Sequence, residues 1–355
     1  MNIRVHGADM NAAMRIIKKC VMPKDPKLAN VEISHGGDGI DLRATNGNFY
    51  ASVRIPVMVE EFAPFCVDGT TLASIMALNA NREIEIAAEG QSCVIRGSGR
   101  TRIPMLRMHV PEMETVSGQT VTMDAMAFAR ICEQVKHAIA TDMTRIVLTG
   151  ALVETDGAKM TITALDGFRL AREMAACEGD TVKVVIPGGF LALVASSVAD
   201  GEKLELVTDG KAVVARTPFV TLKCGLLTGE YVDVNRVLPA DHGLECLVNR
   251  NDVLDALKSA NAVVNTEKLV RLVIDGNVMK LSGNSEQADY EAEIACACND
   301  GVKLNVAFNA EYLSNALSTL DTDEVVMSFH GQTAPMIMRR REGEGIRLVL
   351  PVRTR

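Results

Sequence analysis

Residue types that support catalysis are present in this chain but do not form catalytic patterns. The six histidines are dispersed, and none belongs to an H-E-x-x-H pattern, in which two histidines one helical turn apart bind zinc. No G-x-x-x-x-G-K-[ST] phosphate-binding loop and no G-x-S-x-G nucleophile turn occurs. We therefore expect no catalytic residues, no enzyme activity and no ATPase of the phosphate-loop type.

The nine cysteines are scattered and odd in number, a usage typical of reduced, buried thiols in a cytoplasmic protein. Met1 to Met10 contain no apolar stretch that would mark a secretory signal. No run of about 18 apolar residues is present that could span a membrane. Cys296 and Cys298 form a C-x-C pair with no histidine or second cysteine pair close in sequence, which favours plain packing over a metal site. We expect no metal and no cofactor.

Positive charge is concentrated near the start of an otherwise acidic chain. The net charge of −8 argues against a protein that coats DNA by broad phosphate neutralisation. Residues 10–27 nevertheless carry a net charge of +4, whereas residues 124–145 and 249–271 carry 0 and +1. For a protein that contacts DNA, the candidate DNA-facing cations are Arg15, Lys18, Lys19, Lys24, Lys27 and Arg145. The alternative is that these side chains are ordinary water-exposed charges on helix faces and bind no partner.

Turn signals recur along the chain with one period. Asp38-Gly39, Asp156-Gly157 and Asp275-Gly276 are 118 and 119 residues apart, each between strand-like stretches. A second set, Glu89-Gly90, Asp209-Gly210 and His330-Gly331, is spaced by 120 and 121 residues. Since independent markers share one period, the chain contains three copies of one unit.

Helical periodicity completes each unit. Ile17, Ile131 and Leu257 lie on the apolar faces of three first helices, and Leu72, Leu191 and Leu313 each open a second, short helix. The order in every unit is helix, strands, helix, strands. We predict an α+β fold of three tandem domains over residues 1–117, 118–242 and 243–355, each of ordinary domain size.

Five segments in the right order resemble the beta subunit of bacterial DNA polymerase III, the DNA sliding clamp. Residues 165–170 (LDGFRL) are similar to that family's T-D-G-H-R-L, and residues 231–239 (YVDVNRVLP) are similar to F-P-D-Y-R-R-V-L-P. Residues 98–102 (SGRTR), 308–312 (FNAEY) and 349–353 (VLPVR) match further family segments. Phe168 in place of histidine, Val232 in place of proline and Thr354-Arg355 in place of the terminal leucine mark a divergent member, of a kind that a virus could encode.

The resemblance implies a ring-forming fold of DNA-clamp domains, each with two helices packed on antiparallel sheets. Such a protein is a processivity factor in DNA replication. Two copies joined head to tail encircle duplex DNA without reading its sequence, and they tether the replicative polymerase and clamp-loader subunits through short peptide motifs. The alternative is a repeated protein-interaction scaffold that does not encircle DNA. Neither reading involves a membrane.

The resemblance also implies two protein-binding surfaces. A partner-peptide pocket would lie between the second and third domains, where a peptide of the Gln-Leu-x-Leu-Phe type is expected to bind. Its residues are Leu148, Leu165, Gly167, Phe168, Arg169, Leu170, Val232, Arg236, Val237, Asn309, Tyr312, Thr333, Leu350, Pro351, Val352 and Arg353. The dimer interface would join Ile103 and Met105 of one chain to Val263, Val264 and Leu269 of the other. The alternative for both sets is internal core.

Overall fold

The computed structural model describes residues 2–239, 243–264, 268–299 and 303–353, which form two compact units. The N-terminal unit comprises residues 1–129, 177–181 and 189–226, and the C-terminal unit comprises residues 130–176, 182–188 and 227–355. Both units are built from helices packed on antiparallel sheets, so the predicted α+β class is confirmed.

The helices and strands alternate along the chain. The helices are α1 (Gly7–Ile17), α2 (Gly69–Leu78), α3 (Ala125–Val135), α4 (Gly188–Ala195), α5 (Arg250–Val263) and α6 (Ala310–Ser318). The first strands are β1 (Asn2–His6), β2 (Asn30–Gly36), β3 (Gly39–Thr45), β4 (Phe49–Pro56), β5 (Phe65–Asp68), β6 (Glu83–Glu89), β7 (Ser92–Arg96), β8 (Arg100–Pro104), β9 (Gln119–Asp124), β10 (Gly150–Asp156), β11 (Lys159–Leu165), β12 (Arg169–Ala176) and β13 (Glu178–Gly179). The remaining strands are β14 (Thr181–Pro187), β15 (Lys203–Thr208), β16 (Ala212–Arg216), β17 (Val220–Gly225), β18 (Leu244–Asn249), β19 (Leu269–Asp275), β20 (Val278–Asn284), β21 (Asp289–Cys298), β22 (Leu304–Asn309), β23 (Glu324–Phe329), β24 (Met336–Arg340) and β25 (Ile346–Val349).

Three sheets organise these strands. The N-terminal unit holds a four-stranded sheet in the order β1-β6-β7-β8 and a nine-stranded sheet in the order β13-β9-β15-β16-β17-β4-β3-β2-β5. The C-terminal unit holds a twelve-stranded sheet in the order β14-β10-β11-β12-β25-β24-β23-β18-β21-β20-β19-β22.

Two strand pairs link segments that the sequence assigns to consecutive repeats. In the nine-stranded sheet β17 pairs with β4, with Leu222 opposite Ala51. In the twelve-stranded sheet β25 pairs with β12, with Leu348 opposite Leu170. Because backbone hydrogen bonds cross both predicted domain borders, the chain divides into two compact units rather than at those borders. The boundaries at 117 and 242 stay a prediction, and residue 242 lies outside the described residues.

The repeat markers fall where the sequence predicts them. The acidic-glycine turns join β2 to β3, β10 to β11 and β19 to β20, and the second set joins β6 to β7, β15 to β16 and β23 to β24. The second helix of each repeat begins three residues before the leucine that was expected to open it. Asp68 and Asn309 explain this for α2 and α6, because their side chains accept hydrogen bonds from the first backbone amides of those helices.

Apolar faces of the helices form the cores. In α1 the buried residues include Met10, Met14 and Ile17, and α1 packs beside α2. In the C-terminal unit α5 and α6 cover a core of aliphatic side chains that includes the fully buried Phe308 and Leu313. With few aromatic residues, packing depends on interlocking aliphatic side chains.

One expectation about the cysteines is wrong. Cys246 and Cys298 form a disulfide, although the sequence predicts reduced thiols throughout. Cys246 lies on β18 directly opposite Cys298 on β21, with their Cα atoms 4.3 Å apart. The two residues are 52 positions apart in sequence, so no local pattern could indicate the pairing. Cys20, Cys66, Cys93, Cys132, Cys224 and Cys296 are free and buried as predicted, and Cys177 is buried and outside any disulfide.

Candidate functional site

An apolar cluster in the C-terminal unit brings together six residues of the predicted peptide pocket. These residues are Leu148, Leu165, Leu170, Val232, Val237 and Leu350. The cluster also contains residues that the sequence analysis did not include, namely Ala140, Val147, Tyr231, Val234, Leu238, Ile337, Ile346 and Leu348. Only five of its members are buried, so the cluster is open on part of its surface. We name it the 148–350 cluster.

A tight turn between β11 and β12 forms one edge of the cluster. Gly167 has a φ of +95°, a backbone conformation that favours glycine. The Asp166 carboxylate accepts hydrogen bonds from the amides of Phe168 (2.9 Å) and Arg169 (3.0 Å). Leu350 is anchored to the same turn, because its amide donates to the carbonyl of Phe168 at 2.9 Å. The turn therefore fixes the entry to β12 against the end of β25.

Strand β25 separates two apolar environments. Leu348 faces the 148–350 cluster, whereas Val349 is buried in the core of the C-terminal unit. Leu348 pairs with Leu170 across the strands. Alternate residues of a strand lie on the same face, and Leu350 was already a predicted pocket residue. This alternation in the sequence could therefore have added Ile346 and Leu348 to the predicted pocket.

Aromatic side chains lie beside this cluster. The rings of Phe168 and Tyr312 are 6.2 Å apart at an interplanar angle of 31°. The Arg169 guanidinium lies over the Tyr312 ring, 4.4 Å from its centre, a separation suited to a cation–π contact. Asp166 also holds this guanidinium, with its Oδ2 2.8 Å from Nε of Arg169. Phe168 is 59% exposed, so it offers an apolar face to a ligand.

Asn309 and Tyr312 take their positions from the start of α6. The Asn309 side chain accepts hydrogen bonds from the amides of Glu311 (2.9 Å) and Tyr312 (3.2 Å) and so caps the helix. By capping α6, Asn309 fixes the position of Tyr312 in the first turn of that helix. The following tail is also held in place, because the amide of Val352 donates to the carbonyl of Ala307 at 2.8 Å. Val352 is 41% exposed, Arg353 is exposed and Pro351 is partly buried.

Arg236 and Thr333 are predicted pocket residues that lie outside the 148–350 cluster and are exposed. Arg236 is exposed and pairs with Asp233, with Nε 3.1 Å from Oδ2. Thr333 is exposed in the loop between β23 and β24. Tyr231, which the sequence analysis used only as a family marker, has a structural role, since its hydroxyl lies 3.2 Å from the carbonyl oxygen of Thr163 and burial raises its pKa. The functional role of every pocket residue remains a prediction.

Buried charges lie on the far side of β12 and β25. Glu173 accepts a pair of arginines, with Arg347 Nη2 at 2.8 Å and Arg340 Nη2 at 2.7 Å, and both Glu173 and Arg347 are almost completely buried. Desolvation lowers the pKa of Arg347. Burial, with Arg347 and Arg169 nearby, lowers the pKa of His137 to about 3. This ion cluster fixes β12 against β24 and β25, and these strands carry Leu170, Ile337, Ile346 and Leu348 of the 148–350 cluster.

The predicted DNA-facing cations are all exposed. Arg15 lies on the solvent face of α1, Lys18 and Lys19 follow in a 3₁₀ turn, and Lys24 and Lys27 lie in the next loop. Lys19 Nζ donates to the Ser196 hydroxyl at 2.5 Å. Arg145, in the C-terminal unit, is also exposed. Within the described residues none of the six forms an ion pair with a carboxylate, so their charge is available to an anionic ligand.

The predicted dimer residues lie on helix ends and strands near sheet edges. Ile103 belongs to β8, an edge strand of the four-stranded sheet, and its side chain is buried. Met105 follows β8, and its amide donates to the carbonyl of Gln91 at 2.9 Å. Val263 ends α5, and Val264 packs on the core while still partly exposed. Leu269 begins β19 opposite Asn309.

Family models match most of the chain. The central-domain model of the DNA polymerase III beta subunit matches residues 122–233, and the C-terminal-domain model matches residues 235–353. The chain belongs to the DNA polymerase III beta subunit family. The resemblance seen in the short sequence segments is thereby confirmed, and so is the fold of three tandem clamp domains.

Curated relatives and solved structures agree with the family. The chain is 25% identical to the beta sliding clamp of Bacillus subtilis (strain 168) over 352 residues, with 93% of each chain covered. It is 23% identical to the beta sliding clamp of Lactococcus lactis over 366 residues, with 96% of each covered.

Two solved structures cover the whole of this chain and are wholly covered by it. They are the DNA polymerase III beta subunit from Thermotoga maritima, with a TM-score of 0.92 and 22% identity, and a sliding clamp from Pseudomonas aeruginosa bound to griselimycin, with a TM-score of 0.93 and 21% identity. In addition, none of the described helices is both long and apolar enough to cross a bilayer.

Proposed function

We propose that this chain is the subunit of a DNA sliding clamp, a processivity factor that encircles duplex DNA and tethers a replicative polymerase. Membership of the DNA polymerase III beta subunit family is the observation that carries the proposal. The whole-length match to proteins named beta sliding clamp supports it. We propose the three-domain division 1–117, 118–242 and 243–355 as the repeat on which the ring is built.

The proposed ring consists of two chains joined head to tail. Within one chain β17 pairs with β4, and β25 pairs with β12. Equivalent strands occur at equivalent positions in the three repeats. Strand β8 of the first repeat corresponds to β17 and β25 of the later two. Strand β21 of the third repeat corresponds to β4 and β12 of the earlier two. Strand β8 has a free edge, and in the described residues β21 pairs with β18 only at its last three residues, Cys296–Cys298. Pairing β8 of one chain with β21 of another extends the same rule and covers two exposed edges.

Charge complementarity supports that pairing. Arg100 and Arg102 alternate on the exposed face of β8, whereas Glu291 and Glu293 alternate on the exposed face of β21. Opposite charges across a strand pair are favourable and set which edges associate. On the other face of β21, Tyr290 and Ala292 are partly buried against the core, as is Val264. A second chain would cover this apolar margin, where we propose that Ile103 and Met105 of one chain meet Val263, Val264 and Leu269 of the other.

The exposed cations of the first repeat would hold the DNA. A sliding protein needs weak, sequence-independent attraction to phosphate, without hydrogen bonds to base edges that would arrest it. Arg15, Lys18, Lys19, Lys24 and Lys27 provide such attraction, because they are exposed and lack carboxylate partners among the described residues. Arg145, also exposed and without a carboxylate partner among the described residues, is the proposed DNA-facing cation of the second repeat.

The 148–350 cluster would bind partner proteins. Its leucines and valines offer apolar area for the Leu and Phe anchors of a short motif, at about 1.5–3 kcal/mol for each side chain fully buried. Phe168 and Tyr312 border the cluster, and the predicted Gln-Leu-x-Leu-Phe type of peptide suits this apolar and aromatic surface. Polymerase and clamp-loader subunits would share the site. No catalytic step is assigned to the chain, and we propose that it acts in the cytoplasm.

Solution mass tests the ring directly. The proposed ring has six domains, and each chain contributes three of them, so the ring contains two chains. Light scattering at micromolar concentration should therefore give twice the 38.2 kDa mass of one chain. A monomer under these conditions would favour the scaffold that does not encircle DNA, and a trimer would contradict the six-domain ring.

A further inference from the structure

Three cysteine side chains of the C-terminal unit converge where β21 gains a second strand partner. Cys296 and Cys298 are alternate residues of β21 and therefore lie on the same face of the strand. Cys246 of β18 lies directly opposite Cys298, and Val248 lies opposite Cys296. The three sulfur atoms all lie within 4.8 Å of one another.

The surroundings of the three sulfurs are apolar on one side and open on the other. Cys246 is completely buried, Cys296 is 8% exposed and Cys298 is partly exposed. Met327 of β23 is the cross-strand neighbour of Cys246 on the core side. Cys246 and Cys298 form the disulfide, while the Cys296 sulfur lies 3.6 Å from the Cys298 sulfur as a free thiol. A third cysteine, present as a free thiol beside the disulfide, is more than the disulfide alone requires.

We propose that these three cysteines, once reduced, form a binding site for a thiophilic divalent cation of the zinc class. Tetrahedral zinc bound to sulfur at about 2.3 Å places neighbouring sulfurs about 3.8 Å apart. The 3.6 Å between Cys296 and Cys298 already matches such an edge, and Cys246 is in reach of both. The partly exposed side of Cys298 leaves room for a water molecule as fourth ligand. The proposal is independent of the sliding-clamp function.

Two steps connect the disulfide to the metal-bound form. Reduction of the Cys246–Cys298 disulfide adds two electrons and two protons, and a trialkylphosphine with water supplies them while it becomes the phosphine oxide. The divalent cation then displaces up to three protons from the three thiols as the metal–sulfur bonds form.

Metal binding would hold β18 and β21 together as the disulfide does. These strands lie side by side in the twelve-stranded sheet, and both contribute side chains to the core of the C-terminal unit. The metal-bound and disulfide forms therefore compete for the same sulfurs. A cation bound only by the folded chain raises its thermal unfolding temperature.

The test uses the full chain, reduced with a trialkylphosphine under anaerobic conditions and titrated with Co²⁺ as a coloured substitute for Zn²⁺. We expect sulfur-to-cobalt charge-transfer absorption that saturates at one Co²⁺ per chain, is bleached by Zn²⁺ and is accompanied by a higher unfolding temperature. Cys296→Ser, which keeps both disulfide cysteines, should lose most of the band, whereas Cys224→Ser, a buried cysteine of β17, should keep it.

Three outcomes would overturn the proposal. The first is a fully reduced, folded chain without the absorption band. The second is a band of equal intensity in Cys296→Ser. The third is a disulfide that survives the phosphine while no metal binds, which would leave a structural disulfide only. Circular dichroism of each variant establishes that it is folded, and Cys296→Ala provides a second substitution at the same position.

Discussion

The guanidinium of Arg169 lies 4.4 Å from the centre of the Tyr312 ring. Arg169 begins β12, and Tyr312 lies in the first turn of α6, so the contact joins two distant segments beside the 148–350 cluster. Phe168 extends the same group with its ring 6.2 Å from Tyr312. Where the family pattern has histidine this chain has Phe168, and the edge of the proposed peptide pocket is correspondingly more apolar.

Removing the exposed ring of Phe168 should weaken binding of partner peptide. We expect Phe168→Ala to raise the Kd for a Gln-Leu-x-Leu-Phe peptide by about tenfold, because loss of one partly buried apolar contact costs about 1.5 kcal/mol. Fluorescence anisotropy with a labelled peptide measures the change. Phe219→Ala, which removes another exposed phenylalanine from the N-terminal unit, should leave the Kd unchanged. Equal affinities for all three proteins would remove Phe168 from the site.

Reversing charge on one proposed ring edge should separate the subunits. In Glu291→Lys/Glu293→Lys, the exposed face of β21 would repel Arg100 and Arg102 of the second chain, and light scattering should show mainly monomer. Adding Arg100→Glu and Arg102→Glu to the same chain restores opposite charges and should restore the dimer. Glu60→Lys/Glu61→Lys, an equal change in an exposed loop, is the control. A quadruple variant that stays monomeric while folded would contradict the β8–β21 pairing.

Neutralising three lysines should reduce the salt dependence of DNA binding. Lys18→Gln/Lys19→Gln/Lys24→Gln should lower the slope of log affinity against log salt by about one for each lysine that contacts phosphate. Anisotropy titrations of a labelled duplex at several salt concentrations give the slope. The matched control changes three exposed lysines elsewhere, Lys183, Lys203 and Lys211, to glutamine. If both triple variants keep the wild-type slope, these three lysines are ordinary solvated side chains.

Acid should destabilise the chain through His137. Its pKa is lowered to about 3 in the folded state, while the unfolded chain has a histidine pKa of about 6.5. The unfolded state therefore binds the additional proton between these values, and stability falls as the pH drops through that window. From pH 7.5 to pH 5 the contribution is about 2 kcal/mol. His137→Gln should lose less unfolding free energy than wild type over this range in urea titrations, and equal losses would contradict the assignment.

The repeat was predictable from the sequence because its markers are local. Turns such as Asp156-Gly157 and helical leucines such as Leu191 are encoded within a few residues, and three copies at one spacing reinforce each other. The exact start of the second helices was not predicted, because a cap such as Asn309 lies outside the apolar pattern that was used.

Long-range pairing was the part that the sequence did not provide. Leu348 joins the pocket cluster through its register with Leu170 across two sheet strands, and Cys246 reaches Cys298 in the same way. Glu173 and Arg347 form a buried pair between segments far apart in sequence. Such contacts depend on strand register in three dimensions, whereas the apolar residues near Leu165 and Leu350 could be predicted from the family segments.

Topological retention on DNA tests the central claim most directly. The ring would be dissociated at high salt, reassembled by dilution in the presence of nicked circular DNA, and then challenged with high salt so that only encircled DNA retains protein. We predict that the protein stays on the circle, leaves when one restriction cut makes it linear, and stays when both new ends are blocked by bound streptavidin. Retention that is the same on open linear and circular DNA, or absent on the circle for a proven dimer, would contradict a clamp that encircles DNA.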